Sequence, residues 1–122
     1  AHVVYAAIDK HNPATTSRVV LDDVVRGFIG FDGALMSDDL SMKALSGSFA
    51  ERARASIAAG CDLLLHCNGQ MDEMRAVASE SPLLAGPAAE RAARALARRI
   101  DPPATDLDAI RDELAVLLEQ PV

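Results

Sequence analysis

The chain has 122 residues, half of them hydrophobic and a quarter charged, which is typical of one folded globular domain at most. A net charge of −6 and 3% aromatic residues argue against nucleic-acid binding, which needs a basic surface or stacking side chains. The sequence lacks an apolar run long enough to span a membrane. Its two cysteines are too few for a disulfide framework and indicate a reducing compartment.

The first third of the chain predicts a strand, a helix and a second strand. Residues 3–8 and 34–36 are short apolar runs, and each run leads into a polar segment, so both predict buried strands. Between them, Thr16 and Ser17 offer caps for a helix that runs to about residue 26. Apolar side chains at helical spacing support that helix: Val20, Leu21, Val24 and Val25.

The rest of the chain predicts one more strand and a series of helices. Ser48 and Glu51 match a capping box, which opens a helix that Gly60 ends. Residues 61–66 predict the third strand, and further helices are expected at about 70–79, 87–99 and 106–119. The chain starts abruptly at Ala1, without a Met, so we expect it to be a piece of a longer protein.

This order of elements predicts an α/β fold with a parallel sheet, because all three strands are continuous apolar runs that need helices on both faces. In such folds, ligands bind at the carboxyl ends of the strands. Polar residues collect at this predicted edge: Asp9, Asp38, Asp39, His66 and Asn68. Loops are polar in any case, and an Asp after a strand often caps the next helix.

The pair Asp38-Asp39 is the most informative of these features. Adjacent side chains of an extended backbone point in opposite directions, so we expect one carboxylate to face a site and the other to act as a capping or supporting group. A carboxylate at a strand end without metal ligands beside it suits a nucleophile or a charge stabiliser.

Other candidate sites are weaker. The three histidines, His2, His11 and His66, do not have metal-ligand spacing, and we predict neither a metal nor a cofactor. Cys61 and Cys67 bracket a predicted strand, and we interpret both as buried structural thiols. The arginine-rich segment 91–99 has an alanine-rich side and predicts a solvated amphipathic helix, not a nucleic-acid contact.

The segment from Gly30 to Met42 (GFDGALMSDDLSM) resembles the nucleophile segment of bacterial β-N-acetylhexosaminidases of glycoside hydrolase family 3. The segments Ala59–Asn68 and Ala1–Tyr5 resemble the strands after and before it, so the resemblance covers about residues 1–75. Asp39 stands where the β-glucosidases of the family commonly have Trp, which favours the N-acetylhexosaminidase branch.

The resemblance implies the C-terminal part of a (β/α)8 barrel, with its last three β/α units in residues 1–80 and a C-terminal helical segment packing on it in residues 81–122. It implies Asp38 as the nucleophile of a retaining glycosidase. We take Met42 and His2 as candidate substrate contacts, although core packing fits Met42 equally well. The implied enzyme is cytoplasmic and removes terminal N-acetylglucosamine from muropeptides during peptidoglycan recycling.

The departure from the family is large, because the His-bearing loop that supplies its proton donor has no match in this sequence. We therefore expect the chain alone to be inactive, since general acid catalysis typically contributes about 10²–10⁴-fold. Two alternatives remain open. One is a stand-alone, non-catalytic α/β binding module, and the other is a family 3 glycosidase with another sugar preference.

Overall fold

The computed structural model describes residues 1–119 and contains a mixed α/β fold with two strands and four α-helices. Strand β1 is Met36–Asp39 and strand β2 is Leu63–Leu65. Between and after them lie α1 (Phe49–Ala59), α2 (Met71–Glu80), α3 (Gly86–Ala97) and α4 (Leu107–Leu118). A 3₁₀ turn (Ala14–Thr16) and a π-helix (Val19–Phe28) precede β1.

The two strands pair in parallel through the α1 crossover, with Met36 opposite Leu63 and Asp39 opposite Leu65. The register shifts between these two pairs, so the ladder is irregular. Ser37 compensates for the shift because its hydroxyl oxygen accepts a 2.9 Å hydrogen bond from the Leu65 amide. The expected α/β class with a parallel arrangement is therefore confirmed, on two strands instead of three.

The predicted strand at residues 3–8 is wrong. Its apolar side chains are nearly half exposed, and the amides of Ile8 and Asp9 both donate to the Tyr5 carbonyl, which closes a turn. A strand needs a neighbour whose backbone and side chains it can pair with, whatever its own composition. The described residues provide no strand partner for this segment.

The predicted second strand was also misplaced, because β1 begins at Met36 and includes both aspartates. Asp38 and Asp39 are therefore the last residues of the strand and do not follow it. The third predicted strand, residues 61–66, is shorter in the structure, where β2 contains only the three leucines of that run. These leucines are half-buried.

Helix α1 begins and ends where its signals predict. The Ser48 hydroxyl accepts from the Glu51 amide, and the Glu51 carboxylate accepts from the Ser48 amide, which completes the capping box. Gly60 ends the helix with φ of 117°, a left-handed conformation that favours glycine. The helix predicted in the first third exists, but its closing bond runs from Ile29 to Val24, five residues back.

Two small apolar clusters connect the helices to the sheet. Leu40, Leu45, Ala53 and Val77 form one cluster, and Leu21, Ala59 and Cys61 form the other. Leu64 of β2 packs against both clusters. Leu64 therefore connects both clusters to the sheet.

Helices α3 and α4 have no buried residue within their described spans. Helix α3 is attached by ion pairs: Arg91 bonds both Asp32 and Asp62, and Arg94 bonds Asp32. No described helix is long and apolar enough to cross a membrane.

Candidate active site

The carboxyl end of β1 presents Asp38 and Asp39 in different environments. The Asp38 side chain accepts a 2.9 Å hydrogen bond from the Asp39 amide through Oδ1, and no other described group donates to it. The residue is half-buried. Asp38 is therefore an anchored carboxylate with hydrogen-bonding capacity left for a ligand.

Asp39 is engaged on both carboxylate oxygens. Its Oδ1 accepts from the amides of Ser41 (2.9 Å) and Cys67 (3.1 Å), and its Oδ2 accepts from the Ser41 hydroxyl (2.6 Å). The side-chain bond from Ser41 makes the largest contribution to lowering the pKa of Asp39 below its usual value. Asp39 joins the loop after β1 to the loop after β2, which is the supporting role expected for one of the two carboxylates.

His2 lies against the same strand end. Its Nε2 is 2.9 Å from the Asp39 carbonyl oxygen, which can only accept, so Nε2 carries the proton. Its Nδ1 is 3.0 Å from the Thr15 hydroxyl oxygen. These two contacts place His2 against the backbone of Asp39 and fix the orientation of its ring.

Met42 lies in the loop after β1, and its side chain is 44% exposed. The Met42 amide donates to the Asp39 carbonyl, which keeps the residue within one turn of the strand end. The side chain is thus outside the core. His2 and Met42 thus both contact the backbone carbonyl of Asp39, the residue after Asp38.

His66 and Asn68 do not join this group through their side chains. The His66 side chain is 5% exposed, with Nε2 at 3.2 Å from Glu73 Oε2 and its ring edge-on to Phe49 at 5.3 Å. It faces the helices that cover the sheet. Asn68 donates to Glu73 and accepts from the Gln70 amide, so it organises the start of α2.

Asp9 also serves its own loop. Its carboxylate accepts from the amides of His11 and Asn12 and from the side chains of Asn12 and Ser17. These bonds, led by the one from the Asn12 side chain, hold the pKa of Asp9 far below its usual value. All of these donors lie within residues 9–17, so the Asp9 carboxylate stabilises its own loop.

The two cysteines differ. Burial raises the pKa of the Cys61 thiol to about 11, as expected of an inert structural thiol. Cys67 is exposed, so the prediction that both thiols are buried is wrong for Cys67. Among the described residues, no group of three or more His, Cys, Asp or Glu side chains is arranged to hold a metal ion.

Sequence reasoning missed three residues that shape this edge: Ser37, Ser41 and Arg52. The spacing of Asp39 and Ser41 is a signal for a local Asx turn and predicts the bond between them. Ser37 and Arg52 have no comparable local signal, because their partners lie 28 and up to 12 residues away.

Comparison with known proteins places the chain in a family. Residues 1–100 match the glycosyl hydrolase family 3 N terminal domain. A β-hexosaminidase of Chromobacterium violaceum is 46% identical over 86 residues, which is 67% of this chain and 24% of the relative. One from Tolumonas auensis is 49% identical over 72 residues, 57% of this chain and 21% of the relative.

The crystal structure of a β-N-acetylhexosaminidase from Beutenbergia cavernae is similar in fold, with a TM-score of 0.58 and 34% identity. The match covers 80% of this chain and 31% of that one. The chain thus spans about a quarter of the length of the curated relatives cited above. Because the family match covers residues 1–100, this chain belongs to glycosyl hydrolase family 3.

Proposed function

We propose that this chain supplies the nucleophile segment of a retaining β-N-acetylhexosaminidase, with Asp38 as the nucleophile. The observation that carries the proposal is the contrast at the end of β1. Both carboxylate oxygens of Asp39 accept hydrogen bonds, from Ser41 and Cys67, whereas Asp38 accepts only one, from a backbone amide, and has one oxygen free. The sugar class in the proposal, an N-acetylhexosamine, is taken from the names of the relatives and of the similar crystal structure.

In the proposed mechanism, an Asp38 carboxylate oxygen bonds to the anomeric carbon as the glycosidic C–O bond breaks. A proton donor from a part of the enzyme outside this chain protonates the leaving oxygen. Water then hydrolyses the glycosyl ester with net retention. His2 and Met42 flank the sugar. The substrate is a terminal N-acetylglucosamine on a muropeptide, processed in the cytoplasm during peptidoglycan recycling.

The proposed setting for this chemistry is the C-terminal part of a (β/α)8 barrel. In this proposal, residues 1–80 contribute its last units and the C-terminal segment, 81–122, packs on it as helices; residues 120–122 of that segment lie outside the described part of the chain. Support comes from the parallel β1–α1–β2 unit and from Arg91 and Arg94, which connect α3 to Asp32 and Asp62. Barrel enzymes carry their catalytic groups at the carboxyl ends of the strands, where Asp38 lies.

The test joins this chain to the upstream part of the Chromobacterium violaceum β-hexosaminidase, in place of the matching segment. We expect the fusion to hydrolyse a chromogenic N-acetylglucosaminide, and the 122-residue chain alone to show negligible turnover. Asp38→Ala in the fusion lowers kcat by about 10³-fold or more, because a nucleophile acts in the rate-determining bond changes.

The matched control is Asp72→Ala, since the Asp72 side chain is 97% exposed on α2 and pairs only with the exposed Arg75. This variant should keep the activity of the unsubstituted fusion. Activity of Asp38→Ala close to that of the control would overturn the nucleophile assignment. A panel of chromogenic glucosides and xylosides tests the sugar, and a preference for one of them would replace N-acetylglucosamine in the proposal.

A further inference from the structure

The loop between β1 and α1 contains Met42, a candidate substrate contact, but it has no regular secondary structure of its own. Leu40 and Leu45 fix its apolar side, since they are 0% and 5% exposed in the first core cluster. The loop carbonyl groups still need donors, because unpaired backbone groups near a core are costly.

Arg52 supplies these donors. Its Nη1 donates to the carbonyl oxygens of Leu40 at 2.8 Å and Met42 at 3.2 Å, and its Nε donates to that of Gly47 at 3.1 Å. The guanidinium carbon lies 5.0 Å from the centroid of the Phe49 ring. One side chain thus contacts the beginning, middle and end of a single loop.

The position of Arg52 on α1 explains this reach. It lies in the first turn of the helix, and helical side chains lean toward the N-terminus, which here means toward the loop that has just ended. The guanidinium is planar and has five donors in a fixed fork, so it can serve several carbonyls at once. A lysine ammonium lacks this fixed fork.

Arg54 is a natural comparison on the same helix. It also forms two hydrogen bonds through its guanidinium, but both go to the Glu80 carboxylate on α2, and none goes to the loop. The two arginines therefore have similar chemistry and different targets. Loss of Arg54 should weaken an exposed ion pair and leave the loop unchanged.

We infer that Arg52 is a positioning residue that holds the Leu40–Gly47 loop, and Met42 with it, in place beside Asp38. The inference about the loop geometry rests on the three hydrogen bonds from Arg52 to loop carbonyls. The effect on catalysis rests, in addition, on the proposed function of Asp38. Two measurements test the loop geometry and the effect on catalysis separately.

The first measurement uses the 122-residue chain and needs no activity. Its two lysines, Lys10 and Lys43, are both exposed, and Lys43 lies in the loop, so a lysine-specific protease reports on each loop separately. Arg52→Gln should speed cleavage after Lys43 at least tenfold and leave cleavage after Lys10 unchanged, because local opening exposes the loop. Arg54→Gln should change neither rate.

Unchanged cleavage after Lys43 in Arg52→Gln would overturn the inference. Equal acceleration at both lysines would also overturn it, since that result indicates general destabilisation and not release of one loop.

The second measurement uses the active fusion described above. Arg52→Gln should lower kcat/KM by about tenfold or more, since small misplacements of substrate-positioning groups are costly. Added guanidinium should restore part of the loss, and Met42→Ala should have little further effect in the Arg52→Gln background. Additive effects of the two substitutions, or kcat/KM equal to that of Arg54→Gln, would overturn the catalytic part. An inactive fusion would overturn the proposed function while the cleavage result still decides the loop.

Discussion

At the scale of single residues, neighbouring carboxylates acquire different roles from the donors around them. Asp39 has two oxygens and three donors, so it supports the loops. Asp38 has one donor, from the backbone beside it, and remains available. The alternation of an extended backbone predicted this division, whereas the identity of the Cys67 donor depends on the pairing of β1 with β2.

Asp62 is a buried carboxylate with two arginine partners. Its side chain is 6% exposed and bonds Arg26 and Arg91, and it also accepts from the Leu35 amide at 2.8 Å. Asp62→Ala leaves two arginines without their shared partner. We expect the free energy of unfolding to fall by about 3–5 kcal/mol, measured by urea denaturation.

The control for Asp62 is Asp72→Ala, which removes an ion pair whose two side chains are 97% and 74% exposed. Exposed pairs contribute little to stability, so its urea midpoint should stay close to that of the unsubstituted chain. Equal midpoints for the Asp62 and Asp72 variants would contradict the assignment of Asp62 as a buried anchor.

The lowered pKa of Asp9 predicts that stability depends on pH. Its bonds to Asn12, Ser17 and His11 lower its pKa in the folded state below the ordinary value of about 3.9 in the unfolded chain. The unfolded chain therefore binds the proton more readily. The stabilisation is complete above about pH 5 and is lost as the pH falls through the unfolded and then the folded pKa.

We expect Asp9→Asn to lower stability at pH 7 and to flatten the decline of stability between about pH 5 and pH 2. Urea midpoints measured across this range check the prediction. A variant with the same acid slope as the unsubstituted chain would show that Asp9 is not linked to folding.

At the scale of elements, helix boundaries with a chemical signal were predicted best. The Ser48–Glu51 capping box and the Gly60 stop lie where the sequence places them, and α2, α3 and α4 begin within about a residue of expectation. The strands were predicted less well. Their extent depends on partners elsewhere in the chain, as the loss of the strand at residues 3–8 shows.

We expect the Ser48 cap to contribute measurably to the free energy of unfolding. Ser48→Ala removes the acceptor for the Glu51 amide and one donor to the Glu51 carboxylate, so the free energy of unfolding should fall by about 1 kcal/mol. Thermal or urea unfolding measures it. Ser79→Ala, on the exposed side of α2, should be neutral or slightly stabilising because alanine favours helix. A loss in Ser79→Ala as large as in Ser48→Ala would argue against the cap.

At the scale of the whole molecule, apolar surface remains uncovered. Phe28, Leu83 and Ile100 are 89%, 94% and 84% exposed, and the leucine, isoleucine and valine residues of α4 are more than half exposed. Surfaces of this kind mark interaction sites or association. We expect the 122-residue chain to self-associate with increasing concentration, as measured by sedimentation velocity.

A monomer at high concentration that unfolds in one cooperative transition would contradict this prediction. It would favour the stand-alone binding module over a part of a larger glycosidase domain. The distinction is physical, because an independent module must bury its own apolar faces.

The sequence by itself determined the α/β class and the bounds of α1, because the capping box, the terminal glycine and the apolar runs act locally. It also determined the family resemblance that the comparisons confirmed. Only the tertiary structure decided that β1 includes both aspartates, that His66 turns toward the helices, and that Arg52 reaches the Leu40–Gly47 loop. These features depend on strand register and on contacts between distant residues, which no local pattern encodes.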